Sequence, residues 1–432
     1  MDIDIFSFNC NERGRFQVSY TLGVLFGTFE REKIQYTPMD IFIEEGSHLG
    51  IVHYHDYLNS GILSQSLSSL FKKMSKKIKS EILSFSCLDL DAYTRSIAFA
   101  KYVKKNRSNI IIVVGGSFTK YHKIEDVFAF GIVDYLFHGN SEMEFVKLIR
   151  QRRIGKVEES SIKNLFYIEN GFLKYTGSLT YNINERSGPN FDYYEKKIGR
   201  IKAIQYMTSQ GCINNCNFCC LVGNDLMILN SNKVMNELNY LQSRYKPDII
   251  EFQDDNIFTS KDRMKELLSI FKKINIKWYS SISPNVLDHV LIDLMIDSGC
   301  YSIQIGLESV SKNLLKKMNK NYDVDSISKY IQSLANGGVG VVLNFLVGTP
   351  YETPEDAREN IDFILKYSKY IGRINLNKYV LLKGSPWGKN LAIKRYARSK
   401  LIENNNTYIE YDNQKIYDYY KAIFEKHGIN YV

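Results

Sequence analysis

The sequence predicts an α/β chain, with a Rossmann-like parallel sheet in its N-terminal half followed by a partial (β/α)6 barrel of the TIM type. Three observations predict it. Two separate series of segments alternate β-branched apolar runs with stretches of helical spacing, the pattern of parallel sheets covered by helices. A polar, aromatic stretch broken by Gly171, Gly177, Gly188 and Pro189 divides the two series. At 432 residues the chain also exceeds one ordinary domain.

The first series begins near residue 80. ILSFSC (82–87) is a short apolar run, and AYTRSIAFAKYVKK (92–105) has helical spacing. NIIIVVGG (109–116) reads as a fully buried parallel strand ending in two glycines. KIEDVFAFG (123–131) reads as a helix, VDYLFHG (133–139) as a strand and SEMEFVKLIRQR (141–152) as a helix. Ligands of such sheets bind beyond the carboxyl ends of the strands, where Ser86, Gly115, Gly116 and Gly139 fall. LFYIENGFLKYT (165–176) predicts a hairpin turning at Asn170-Gly171. The boundaries expected are 1–154 for the N-terminal domain, 155–199 for a connector, 200–385 for the barrel core and 386–432 for a C-terminal helical extension.

The second series predicts strands over 202–208, 248–255, 277–283, 301–308, 339–348 and 374–382. Helices are predicted at about 231–244, 260–273, 286–298, 324–336 and 354–369. Ser231, Thr259 or Ser260, and Thr353-Pro354 mark helix starts, and the glycines of DSGC and ANGG mark helix ends. The active site of such an array lies at the C-terminal ends of its strands. The cysteine cluster follows the first strand there, Asp254-Asp255 the second, and Glu308 ends the fourth.

Composition sets bounds. Hydrophobic content of 44% and charged content of 24% suit a soluble globular protein with a large core. No run is long and apolar enough to span a membrane, and MDIDIFSFNCNERGRF does not resemble a secretion signal, so a cytoplasmic location is expected. The formal charge is +9, and the basic runs KKMSKKIK (72–79) and RQRR (150–153) read as solvated helix faces, so no nucleic-acid partner is expected. His53 and His55 could form a metal pair on a strand, but no third ligand stands nearby, so a surface or packed role is expected.

QGCINNCNFCC (210–220) places Cys212, Cys216, Cys219 and Cys220 on one short loop, out of seven cysteines in the chain. A structural zinc site needs four ligands around one small ion, and adjacent Cys219 and Cys220 rarely both reach it. Cys10, Cys87 and Cys300 are distant in sequence and share no paired spacing. An iron–sulfur cluster is larger and tolerates short loop-borne spacing, and three ligands on a cubane leave one iron open. Spacing alone favours the cluster.

CxxxCxxC, with Phe218 before its last cysteine, resembles the signature of the radical S-adenosylmethionine family. The resemblance runs over residues 200 to about 385. It implies a 4Fe–4S cluster on Cys212, Cys216 and Cys219, with Cys220 left outside the ligand set as a packed thiol or a hydrogen-atom donor. FQDDNIFT (252–259) is similar to the segment whose acidic group meets the methionine amino group, which implies a role for Asp254 and Asp255. A helix-capping role is the alternative for that pair. SGCYSIQIGLESVSKNLLKKMNK (298–320) implies that Glu308 and Ser309 lie near the ribose or methionine end. NFLVGTPYET (344–353) implies that Leu346, Val347 and Gly348 cradle adenine, and LLKGSPWG (381–388) resembles the end of the sixth strand. Two departures stand out: Tyr351 replaces a common glycine, and Ser281 to Asn285 hold no basic residue for the cofactor carboxylate. The implied chemistry is reductive cleavage of S-adenosylmethionine to a 5′-deoxyadenosyl radical that abstracts hydrogen, with a flavodoxin- or ferredoxin-type electron donor.

ILSFSC, IIIVVGGSFT and VDYLFHGNSEMEFVKLI together resemble the cobalamin-binding domain that precedes some members of that family, and SGPNFDYYEK (187–196) resembles their connector. Ser86, Gly115, Gly116 and Gly139 are the implied cobalamin contacts. The motif Asp-x-His-x-x-Gly is absent, and a domain that keeps the fold without the cofactor is the alternative. The function implied is cobalamin-dependent methyl transfer to an unactivated carbon of a natural-product intermediate or peptide. A cobalamin-free radical epimerase, cyclase or bond-forming enzyme is the alternative within this class. A non-catalytic iron–sulfur protein that binds nucleic acid is the alternative outside it.

Overall fold

A computed structural model describes residues 2–9, 18–45, 50–120, 124–223, 225–382, 384–390, 408–409 and 413–432. Cys10 and residues 391–407 of the expected C-terminal extension lie outside the described residues. The chain divides into two compact units, Met1–Ile201 and Lys202–Val432.

The first unit holds strands β1 (Ile3–Ser7), β2 (Tyr36–Asp40), β3 (Ile82–Ser86), β4 (Ile111–Gly115), β5 (Tyr135–Phe137), β6 (Leu165–Glu169) and β7 (Phe172–Tyr175), in the sheet order β2-β1-β3-β4-β5-β6-β7. The strands β2 to β5 of that order are parallel, so the chain reverses direction of growth between β1 and β3 and opens a crevice there. Helices Tyr20–Arg31 and Leu90–Asn106 supply crossovers between parallel strands, and Glu142–Arg153 joins β5 to the antiparallel β6. The strand faces bury aromatic side chains: Phe6 stacks on Phe99 at 5.6 Å, and Phe8, Phe71 and Phe85 complete the cluster. Each such side chain contributes roughly 1.5–3 kcal/mol of burial energy.

The predicted helix 123–131 is only the single turn Ile124–Val127. The hairpin forms as expected, with positive φ at Asn170 and Gly171. It does not stand apart as a linker, because β6 pairs antiparallel with β5 and extends the N-terminal sheet.

The second unit is a six-stranded sheet. Its strands are β8 (Ala203–Tyr206), β11 (Ile249–Phe252), β12 (Trp278–Ile282), β13 (Cys300–Glu308), β14 (Gly340–Val347) and β15 (Arg373–Lys378), all parallel and in chain order. A two-residue ladder of β9 (Ser209–Gln210) and β10 (Met227–Ile228) follows β8. Helices Ser231–Tyr245, Lys261–Ile274, His289–Asp297, Val324–Asn336 and Pro354–Tyr367 return the chain between strands. Their starts are chemical: Asn230 and Ser260 cap with side-chain oxygens, and Thr353 forms a reciprocal capping box with Asp356. The β15 edge is covered by the chain's last residues, since Ile374 N–H donates to Asn430 O and Leu376 N–H to Val432 O, at 2.8 and 2.9 Å. The helix Gln414–His427 leads into them.

Candidate functional site

The β9–β10 ladder closes a loop, 211–226, at the C-terminal end of β8. Its neck requires glycine: Gly211 has φ +88°, and a Cβ there would stand 2.5 Å from Asp225 O. Cys212, Cys216, Cys219 and Cys220 are all half-buried on this loop. Backbone N–H groups of Asn214 and Leu221 point at the sulfurs of Cys212 and Cys219, at 3.5 and 3.4 Å. Such donors favour thiolate, the form that binds iron.

The loop is held from outside. Asn217 N–H donates to Met318 O (2.9 Å) and its Nδ2 to Lys317 O (2.8 Å), while Trp387 N–H donates to Asn217 O (2.9 Å). Phe218 packs 6.2 Å from Trp387 in a cluster with Leu314, Met318, Tyr379 and Leu381, and Leu346 and Tyr351 join the same cluster. Tyr351 therefore fills the place of the expected glycine with packing, its ring 5.2 Å from Trp387.

Without metal, burial pushes the Cys216 thiol up to about 11, partly offset by the ammonium of Lys320. A hydrogen bond between Cys219 and Cys220 raises the first thiol and lowers the second to about 7. No three His, Cys, Asp or Glu side chains among the described residues converge as a single metal ion would need. Cys216 nevertheless feels the charge of both Cys219 and Cys212. Thiolates are the donors that hold a multi-iron cluster, so the chemistry of this donor set suits that group.

The two adjacent aspartates part company. Asp254 is buried and its carboxylate accepts from Thr208 N–H (3.0 Å), Thr208 Oγ1 (2.7 Å) and Ser209 Oγ (2.6 Å). It clamps the end of β8 to the end of β11, and its oxygens are already occupied. Asp255 is exposed and accepts from Gly211 N–H at 3.0 Å, at the neck of the cysteine loop.

Glu308 sits at a bulge between β13 and β14 with φ +63°, a conformation rare for a residue with a side chain. Burial raises its carboxyl pKa, and Lys320 stands 3.5 Å away as its counter-charge. Lys320 Nζ also donates to Gly306 O (2.5 Å) and lies 6.0 Å from the Phe218 ring. Lys320 was missing from the expected site. It follows the helix Lys312–Met318, and only that turn returns it to the cysteine loop. Ser309 and Val347 are buried, and Ser309 Oγ donates to Asn360 Oδ1 at 2.9 Å. Gly348 has φ +73° and is packed against Asn413.

Inside the array the sheet presents half-buried polar groups, Gln205, Glu251, Tyr279, Gln304, Asn344 and Asn375. Tyr279 O–H donates to Gln304 Oε1 (2.6 Å), and Asn375 Nδ2 bridges Gln304 Oε1 (3.2 Å) and Asn344 Oδ1 (2.8 Å).

In the first unit, Ser86, Gly115, Gly116 and Gly139 lie together at the carboxyl edge of β3, β4 and β5. Asn9 spans the crevice, donating from Nδ2 to Ser86 O (3.0 Å) and accepting from Leu88 N–H (2.9 Å). Gly116 has φ +116°, and a Cβ there would stand 2.2 Å from Cys87 O. Gly139 faces open space. His53 and His55 lie exposed on the helix Ile51–Ser60, not on a strand as expected.

Residues 206–364 match the Radical SAM superfamily. An uncharacterized methyltransferase of Pyrococcus horikoshii is 25% identical over 321 residues, which cover 72% of this chain and 69% of that protein. Three further curated methyltransferases share 25% to 32% identity, and the chain spans only 28% to 44% of their lengths. Two solved structures share the fold at 14% identity. The methyltransferase TsrM of Kitasatospora setae, with tryptophan and an S-adenosylmethionine analogue bound, superposes with TM-score 0.68 over 92% of this chain and 77% of its own. The cobalamin-dependent radical enzyme OxsB, with aqua-cobalamin and S-adenosylmethionine bound, superposes with TM-score 0.72 over 97% of this chain and 65% of its own. No helix among the described residues is long and apolar enough to cross a membrane.

Proposed function

We propose that this chain, a member of the radical S-adenosylmethionine superfamily with an N-terminal cobalamin-binding-like domain, transfers a methyl group to an unactivated carbon of a small polar molecule. The observation that carries the reading is the cysteine loop itself, closed at the C-terminal end of β8 with Glu308 and Lys320 beside Cys216. Cys212, Cys216 and Cys219 would hold the 4Fe–4S cluster, with Cys220 outside the set. When bound, the cluster supplies the electron that cleaves the sulfonium of S-adenosylmethionine, and cobalamin supplies a methyl carrier.

The chain's own residues bind and orient. Asp255 is the exposed carboxylate for the methionine ammonium, with one oxygen taken by Gly211 N–H, since Asp254 is committed to Thr208 and Ser209. An ammonium has three protons. Lys320 directs two toward Glu308 and Gly306 O, which leaves one for a carboxylate. Leu346 and Gly348 would face the adenine, and Phe218 seats the loop on Trp387.

The polar inner face supports a hydrophilic substrate. Asn375 Oδ1 is buried with no partner among the described residues, and burial alone raises the Glu251 carboxyl. An apolar ligand against this face would leave each such group unsatisfied, at about 1–3 kcal/mol apiece. Ser86, Gly115, Gly116 and Gly139 would border the cobalamin, and a flavodoxin- or ferredoxin-type carrier would deliver the electron.

The test is anaerobic reconstitution of the full chain. Bound iron, retained cobalamin and 5′-deoxyadenosine formed with a reductant are expected, and Cys216→Ala should abolish the nucleoside. Cleavage without any cobalamin binding would replace methyl transfer by a cobalamin-free radical reaction. Iron without cleavage or S-adenosylmethionine binding would leave a non-catalytic iron–sulfur protein.

A further inference from the structure

The ends of β13 and β14 are joined by an unbroken hydrogen-bond chain that passes through the C-terminal helix. Ser309 Oγ (2.9 Å) and Val310 N–H (2.7 Å) donate to Asn360 Oδ1. Asn360 Nδ2 donates to Tyr420 Oη at 2.9 Å, and the Tyr420 O–H donates to Glu352 Oε1 at 2.9 Å. Glu352 Oε2 accepts from Gly348 N–H (2.5 Å) and Thr349 N–H (3.3 Å).

The direction of every bond is forced. Val310 N–H can only donate, which fixes the Asn360 amide with its oxygen toward β13. Its nitrogen must then donate to the phenol, and the phenol's one proton must go to the carboxyl group. On the other side, Asn413 Nδ2 donates to Gly348 O (3.2 Å) and Tyr379 O (2.9 Å). Asn413 Cβ would stand 2.3 Å from a Cβ on Gly348. Gly348 thus has both its N–H and its C=O held by side chains from outside its strand.

Asn360 and Tyr420 are fully buried. Apolar packing would hold two helices to a sheet at least as well as a buried polar chain, whose members are costly unless every bond is made. What such a chain adds is one defined geometry, here at two backbone positions, Ser309 and Gly348.

We propose that Asn360, Glu352 and Tyr420 are positioning residues for the nucleoside end of S-adenosylmethionine, so that the helix Gln414–His427, outside the six-strand array, is part of the cofactor site. The inference rests on reading the β13 and β14 ends as the cofactor cradle. It also separates two duties: Asp255 and Lys320 serve the amino-acid end, and the brace serves the adenosine.

The test uses reconstituted full-length enzyme and two ligands, S-adenosylmethionine and 5′-methylthioadenosine, which lacks the amino-acid end. Tyr420→Phe deletes one hydroxyl and strands Asn360 Nδ2 and Glu352 Oε1. It should weaken both ligands about tenfold with iron content unchanged. Ser309→Ala, at the far end of the chain, should weaken both in the same direction should Tyr420→Phe fold poorly. Glu352→Gln keeps an acceptor for the Gly348 amide and should lose less than Tyr420→Phe. Binding of both ligands within twofold of wild type in folded Tyr420→Phe and Ser309→Ala, whatever the melting temperature, overturns the inference. So does a loss confined to S-adenosylmethionine, which would place the effect at the amino-acid end. If the wild-type enzyme itself binds neither ligand, it is the functional reading that has failed.

Discussion

Asp254→Asn separates a structural carboxylate from a ligand contact. The substitution keeps the shape but puts an NH2 group where a carboxylate oxygen now accepts from Thr208 N–H at 3.0 Å. Two donors then face each other inside a fully buried site. The remaining oxygen can still accept from the two hydroxyls, at 2.7 and 2.6 Å. Thr208 N–H keeps only its 3.1 Å contact with that oxygen, its 3.0 Å bond becomes a donor–donor clash, and the remaining bonds lose their charge assistance, together about 3 kcal/mol. Burial already raises the Asp254 carboxyl pKa, so removing the charge returns part of that and leaves a net loss of about 2 kcal/mol. Both tryptophans, Trp278 and Trp387, lie in the second unit, so their fluorescence follows its unfolding. With a urea slope of about 3 kcal/mol/M for a unit of this size, the midpoint should fall by about 0.7 M. Affinity for S-adenosylmethionine, measured on the folded and reconstituted variant, should stay within about threefold of wild type. An unchanged midpoint with tenfold weaker binding would refute the reasoning and make Asp254 a direct cofactor contact.

Burial raises Glu352 from 4.5 to about 7, so the folded chain holds this proton up to a higher pH than the unfolded chain does, and the brace in which Tyr420 donates is that of the ionised carboxyl. The stability this contributes is complete below the unfolded value and is lost as pH rises through the folded one, about 3 kcal/mol in all. Thermal melts between pH 5 and 8 should show that decline, and Glu352→Gln should flatten it. Gly116→Ala forces a methyl group to 2.2 Å from the Cys87 carbonyl at φ +116°, a clash between two backbones that cannot turn aside. It should destabilise the first unit by several kcal/mol and abolish cobalamin retention, read by hydrogen exchange in β3 and β4 and by bound corrinoid, with the cysteine loop still taking up iron.

The strand–helix order of both series was legible because period, β-branching and caps are local properties: ILSFSC, NIIIVVGG and Thr353-Pro354 each carry their own signal. The strands β1 and β2 carry no comparable local signal, although they form one side of the crevice. In IDIFS the buried Asp4 breaks the apolar run, and its carboxylate accepts from Lys79 and Ser80 N–H groups, at 2.8 and 2.7 Å, far along the chain. Likewise the hairpin after residue 164 could be recognised, but not its pairing with β5.

By itself the sequence carries the motif on which the proposed chemistry rests. Three thiols at CxxxCxxC on a glycine-necked loop, placed after the first strand of a β/α series, need no distant partner to be recognised. Tertiary structure alone decided which neighbouring groups are free to act. Asp254 and Asp255 are chemically identical in sequence, yet one is enclosed by Thr208 and Ser209 and the other is exposed. Lys320 becomes the cation of the site only because the turn after Lys312–Met318 brings it to Glu308. Tyr420 reaches Asn360 and Glu352 across 60 and 68 positions of chain. A hydrogen bond acts over about 3 Å of space, whatever the separation in sequence. Periodicity and motif spacing carry no information about such contacts until the chain is packed.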